Sequence, residues 1–114
     1  METLFTKLQE YLHMEEEEIP FEEFNQYYKN LLELLNTGFA DFKQDECLKA
    51  RYICSIVQAN AESRSKSSKI NAKVFKKIQS KCGFWADAIN FRLLKEGKTQ
   101  QEIDEATKAI NDTI

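Results

Sequence analysis

Residues 20–38 read PFEEFNQYYKNLLELLNTG. Phe21, Phe24, Tyr28, Leu31 and Leu35 recur at steps of 3 and 4, with Tyr27, Leu32 and Leu34 beside them. At 100° per residue these eight side chains fall within an arc of about 160°. Every other position from Glu22 to Asn36 is polar. Pro20 suits a first helical turn, where its missing N–H costs nothing. Glu22 and Glu23 follow where the helix dipole favours negative charge. Asn36-Thr37-Gly38 then offers a glycine stop at a C′ position. The spacing predicts an amphipathic helix over residues 20–36, closed by Gly38.

Helical periodicity extends in both directions, and clean strand alternation is absent. Residues 2–14 form a first helix with Leu4, Phe5, Leu8, Tyr11 and Leu12 on one stripe. The run Glu15-Glu16-Glu17-Glu18 opposes the C-terminal dipole and reads as a solvated linker. A third helix is expected over residues 41–62, with Asp41 as N-cap and Gln44 three residues on. It carries two apolar stripes, one of Cys47, Ala50, Cys54, Val57 and Ala61, the other of Leu48, Tyr52, Ile56 and Ala59. Apolar residues on two sides predict a helix sandwiched between neighbours. Residues 60–69, NAESRSKSSK, are the main loop or a polar overrun of that helix.

A fourth helix is expected over residues 68–96, with Ile70, Val74, Ile78, Cys82, Trp85, Ile89 and Leu93 as its stripe and Gly97 as its stop. Gly83 within it costs about 1 kcal/mol against Ala and marks a kink or a division into two helices. A fifth helix, residues 100–112, opens with the capping box Thr99-Gln100-Gln101-Glu102 and carries Ile103, Ala106, Ile110 and Ile114. The expected fold is all-α: a compact antiparallel bundle of four to five helices in a single domain, residues 1–114, with the third and fourth helices central.

Composition agrees. Three Gly and one Pro in 114 residues lie well below the usual share of roughly 12%. So few turn formers argue against an all-β sandwich or barrel, and no pair of glycines is close enough for a phosphate loop or a Rossmann fingerprint. The most nearly apolar stretch, residues 52–57, is about a third of a membrane span, and the acid-bearing N-terminus lacks a signal-peptide core. Cys47, Cys54 and Cys82 are an odd number without a C-x-x-C pair, and His13 is the only histidine. A cytoplasmic protein with reduced thiols, no metal and no cofactor is expected.

No catalytic residue is assigned. His13 precedes four glutamates, which favour its charged form, but no Ser or Cys is tied to it by sequence. Cys82 lies near several bases, yet its place between Ile78 and Trp85 makes it a buried, inert thiol. The segment Lys98-Thr99-Gln100-Gln101-Glu102-Ile103 is similar to the opening of some helix-turn-helix DNA readers, but only four residues follow Ile110, too few for a recognition helix.

Charge placement is the strongest functional signal. The net charge of −3 conceals −9 over residues 1–46, +9 over residues 47–98 and −3 over residues 99–114. Residues 63–86 contain no acid and seven bases. On a helical wheel Lys69, Lys73, Lys76, Lys77 and Lys81 span about 140°, away from the apolar stripe. Phe84 and Phe91 point with this ridge. Three uses compete for the ridge: a solvated face, a complement to the acidic first half within the molecule or a homodimer, or a site for an external polyanion. The two phenylalanines are either the second buried side of a central helix or a docking patch. The expected function is non-enzymatic: an adaptor, inhibitor or regulator that binds an acidic protein surface through these seven residues. The alternative is a nucleic-acid-binding accessory protein that uses the lysines for phosphate contacts.

Overall fold

A computed structural model describes residues 1–13 and 19–113. The acidic run at residues 15–18 and the last stripe position, Ile114, lie outside the described residues. The chain is an all-α bundle: α1 (Glu2–Leu12), α2 (Phe21–Gly38), a 3-10 turn (Phe39–Asp41), α3 (Gln44–Ser67), α4 (Ala72–Lys95) and α5 (Gln100–Asp112). There is no strand among the described residues.

The amphipathic pattern of α2 is realised as read. Phe24, Tyr27, Tyr28, Leu31 and Leu35 are buried, and Leu32 and Leu34 pack at the margin. The helix end differs from expectation. Gly38 is not in the left-handed conformation that a C′ glycine adopts; it keeps φ −117° and the chain runs on into the 3-10 turn. Its small size serves packing instead, since a Cβ there would lie 3.2 Å from the Phe42 ring. Asp41 is likewise not the cap of α3. It ends the 3-10 turn, and Lys43 takes the N-cap place, with its backbone N–H donating to the Glu46 carboxylate at 3.0 Å.

At its other end α3 overruns to Ser67, so the serine-rich stretch is helix for most of its length. α3 packs against α1, α4 and α5, while Arg64 reaches α2, its guanidinium 4.5 Å from the Phe24 ring. The expected position at the centre of the bundle is therefore correct for α3. Its first stripe, Cys47, Ala50, Cys54, Val57 and Ala61, is wholly buried; of the second, Tyr52 is buried and Ala59 is exposed.

α4 returns antiparallel to α3 after residues 68–71. Ser68 leaves the helical conformation and its hydroxyl accepts the Asn71 N–H at 3.3 Å; the first helical bond of α4 runs from Phe75 to Asn71 at 3.0 Å. This hydroxyl-held turn places Lys69 and Ile70 at its tip, outside α4. The expected stripe is corrected accordingly: Ile70 is 94% exposed and Val74 is also exposed, while Phe75 is buried in their stead. Phe75 meets Phe21 and Phe24 edge to face, with ring centroids at 5.5 and 5.8 Å. Ile78, Cys82, Ile89 and Leu93 continue the buried stripe, and Trp85 lies at its margin. α4 is continuous through Gly83, with no division there.

Gly97 ends α4 as expected. It has φ +105°, and both bonds of a Schellman cap are present: Gly97 N–H to the Leu94 carbonyl and Lys98 N–H to the Leu93 carbonyl, each 3.1 Å. The capping box of α5 forms too, with Glu102 N–H donating to Thr99 Oγ1 at 3.1 Å and Thr99 N–H donating to the Glu102 carboxylate at 2.9 Å. The Thr99 backbone and hydroxyl hydrogen bonds hold the Glu102 carboxyl below its usual range. Ile103 anchors α5 in the core; Arg51 to Thr107 and Tyr52 to Asn111 tie it to α3.

Candidate functional site

The long central pair α3 and α4 decides which surface is free. Each spans 24 residues, so the pair forms a rod about 36 Å long. Because α4 turns its Phe75–Leu93 stripe inward, the opposite side of the helix is left to solvent. Among the described residues it is not covered on two sides as α3 is, which corrects the expectation that both would be central.

Phe84 and Phe91 lie on the open side, 63% and 62% exposed. They are not second-side core residues. Phe84 meets Trp85 edge to face at 5.8 Å, and Trp85 in turn meets Phe39 at 5.4 Å, so an aromatic row leads from the core margin to the surface. Ala88, between the two phenylalanines, is half-buried.

The lysines are divided by the turn. Lys73, Lys76, Lys77 and Lys81 stand on α4 and are exposed, whereas Lys69 sits in the preceding turn. Among the described residues none of the five is within 4.0 Å of a carboxylate. Asp87 is the single acid of α4, against five lysines and one arginine. Two part-buried arginines are occupied elsewhere. Arg92 donates to the carbonyls of Phe39 and Phe42, and Arg64 donates to the carbonyl of Ile19 at 3.0 Å.

Lys95 belongs to the same surface and is absent from the sequence-predicted set. Its Nζ lies 5.7 Å from the centre of the Phe91 ring. The signal was available: Lys95 follows Phe91 by four residues, one turn further along the same line. The role of Trp85 in joining Phe84 to Phe39 required the tertiary structure, because Phe39 is 46 positions away.

The remaining chemical groups lie apart from this face. Cys47, Cys54 and Cys82 are buried and free. Burial pushes the Cys82 thiol up to about 12 and raises Cys54 and Cys47 as well, with Arg92 partly opposing the rise at Cys47. Such thiols are poor nucleophiles. His13 is exposed at the end of α1, where its backbone N–H bonds the Gln9 and Glu10 carbonyls. Among the described residues no three His, Cys, Asp or Glu side chains converge. A cleft of about 200 Å³ lies between α1, α2 and α3, lined by Leu8, Leu12, Ile56, Val57 and Arg64 among others. It opens beside the ends of the α1–α2 connection, whose residues 14–18 are outside the described set; Leu12, expected on the buried stripe of α1, is exposed there.

No protein-family model, no curated protein and no solved structure matches this chain. No helix among the described residues is long and apolar enough to cross a membrane.

Proposed function

We propose that this chain is a non-enzymatic interaction protein, an adaptor, inhibitor or regulator, that binds an acidic surface of another protein through the open face of α4. The supporting observation is the exposure of Phe84 and Phe91 on the same helix as four lysines that have no carboxylate partner among the described residues. Exposed aromatics grouped on a rigid element are the usual anchors of interfaces, and unpaired charge around them steers a complementary partner. The lysines raise the encounter rate; the two rings hold the complex. Three reduced, buried thiols suit a cytoplasmic protein.

Nucleic acid is the second reading, favoured by the same unpaired lysines. Against it stand the net charge of −3 and the lack of an arginine free to read base edges on this face. Capture from native lysate, with and without nuclease, separates the two. The protein reading predicts a retained partner after nuclease, weakened by salt and lost when Lys73, Lys76 and Lys77 are changed to Glu. A partner that disappears with nuclease, or that the charge-reversed chain retains, refutes it.

A further inference from the structure

The open face of α4 has a regular spacing. Lys77, Lys81, Phe84, Ala88, Phe91 and Lys95 follow one another at steps of 4, 3, 4, 3 and 4 residues. Counted from Val74, one step of 3 before Lys77, the six alternating steps average 3.5, the value of an a/d seam and shorter than the 3.6 of a straight helix, so the line drifts by about 20° per heptad, as a left-handed helix pair requires. Val74, which opens the line, is exposed as well. A seam of this kind ordinarily faces another helix. In this chain Phe84 and Phe91 face solvent.

We infer that this seam receives a single helix of a partner protein, packed at a shallow left-handed angle, apolar at its middle and acidic towards both ends. The inference rests on the protein-partner reading above and adds its geometry. Phe84 and Phe91 are one heptad apart with small Ala88 between them, so two bulky side chains flank a hole that a partner Leu or Met can fill. Lys77 and Lys81 stand at one end of this apolar stretch and Lys95 at the other. Carboxylates on the partner meet them at both ends. The stretch from Lys77 to Lys95 is about 27 Å long, five turns of the partner helix.

Charge selects this occupant over a second copy of the chain. Parallel, in-register pairing of two α4 helices sets Lys77, Lys81 and Lys95 against their own copies. Antiparallel pairing that matches Phe84 with Phe91 sets Lys81 beside Leu94 and Lys95 of the other copy. Either arrangement buries like charge, which opposes association. An acidic helix reverses the sign of the same contacts.

The test is fluorescence anisotropy of the full chain with three labelled synthetic peptides at low concentration. One carries Leu along an a/d seam at its middle and Glu towards both ends. The second has the same composition with the seam scrambled, and the third is polyglutamate of equal net charge. The seam peptide is expected to bind at least about tenfold more tightly than the other two, with a Kd in the micromolar range typical of small interfaces. Its helicity rises on binding. Phe84→Ser with Phe91→Ser, in a chain whose circular dichroism is unchanged, reduces its affinity to that of the scrambled peptide. Equal binding of all three peptides overturns the seam while leaving an acid-binding face. Absence of binding by every peptide at low salt overturns both the seam and the acidic-partner reading. A dimer of the chain alone that is lost with the two Ser substitutions identifies the occupant as a second copy and also overturns the proposal.

Discussion

Arg92 of α4 lies with its guanidinium 4.9 Å from the Phe39 ring and donates a hydrogen bond to the carbonyl of that same residue. It also donates to the Phe42 carbonyl and pairs with Glu96 at 3.3 Å. One side chain thus closes the 3-10 turn, fixes the entry to α3 and holds Phe39 against Trp85 at the root of the open face. Arg92→Ala should cost about 2–3 kcal/mol in urea unfolding, because two carbonyls lose a charged donor and Phe39 loses its stacking cation. Arg92→Lys should recover little, since a single ammonium does not reproduce the planar fork. Unchanged stability in the Ala variant contradicts this role.

The adjacent Tyr27 and Tyr28 predict opposite responses to loss of the hydroxyl. Tyr27 donates to the Leu4 carbonyl at 2.7 Å and ties α2 to α1. The Tyr28 hydroxyl is buried without a partner among the described residues. Tyr27→Phe should lower stability by about 1 kcal/mol, whereas Tyr28→Phe should leave it unchanged or raise it by a similar amount. Thermal unfolding of the two variants side by side checks both signs.

The two glycines at α4 also differ. Gly97 has φ +105°, so Gly97→Ala should cost about 1–2 kcal/mol. A Cβ at Gly83 would lie 2.9 Å from Gln58 Nε2, the mobile end of a long side chain. Gly83→Ala should therefore move Gln58 aside and gain up to about 1 kcal/mol from helix propensity. Chemical denaturation of both variants gives the comparison.

The thiols set an alkaline limit. Burial raises Cys82 from 9.0 to about 12, and Cys54 and Cys47 move in the same direction. A group that ionises less readily when folded stabilises fully below its unfolded pKa, and that stabilisation is lost as pH rises towards the folded value. Stability should accordingly be insensitive to these groups up to about pH 9 and fall from there towards pH 12. At pH 8 the native chain should react with a thiol reagent only as fast as it opens, and all three cysteines should react at once in denaturant. Rapid labelling of one cysteine in the native chain contradicts its buried placement.

Much of this architecture is legible in the chain because its helices bury one stripe each. α2 and α5 follow their periodicity closely, and the Thr99–Glu102 box and the Gly97 stop are local motifs that require no tertiary information. The misreadings occur where a distant contact decides. Ile70 and Val74 fit the stripe of α4 by spacing, but the Ser68 hydroxyl turns the chain first, and Phe75 takes the core position against Phe21 and Phe24. Gly38 resembles a conformational stop, but the Phe42 ring explains its size. The lysines and Phe84 and Phe91 could be placed on one side of a helix from spacing alone. Whether that side was core or surface depended on how the bundle covers α4.

The most direct measurement of the central claim is partner capture by the Phe84→Ser, Phe91→Ser chain compared with the unaltered chain in nuclease-treated native lysate, with unfolding curves recorded on the same preparations. Both residues are exposed, so stability should change by less than about 1 kcal/mol. The predicted result is a folded double variant that no longer captures the partner retained by the unaltered chain. A folded double variant that captures the same partner equally well would contradict the account.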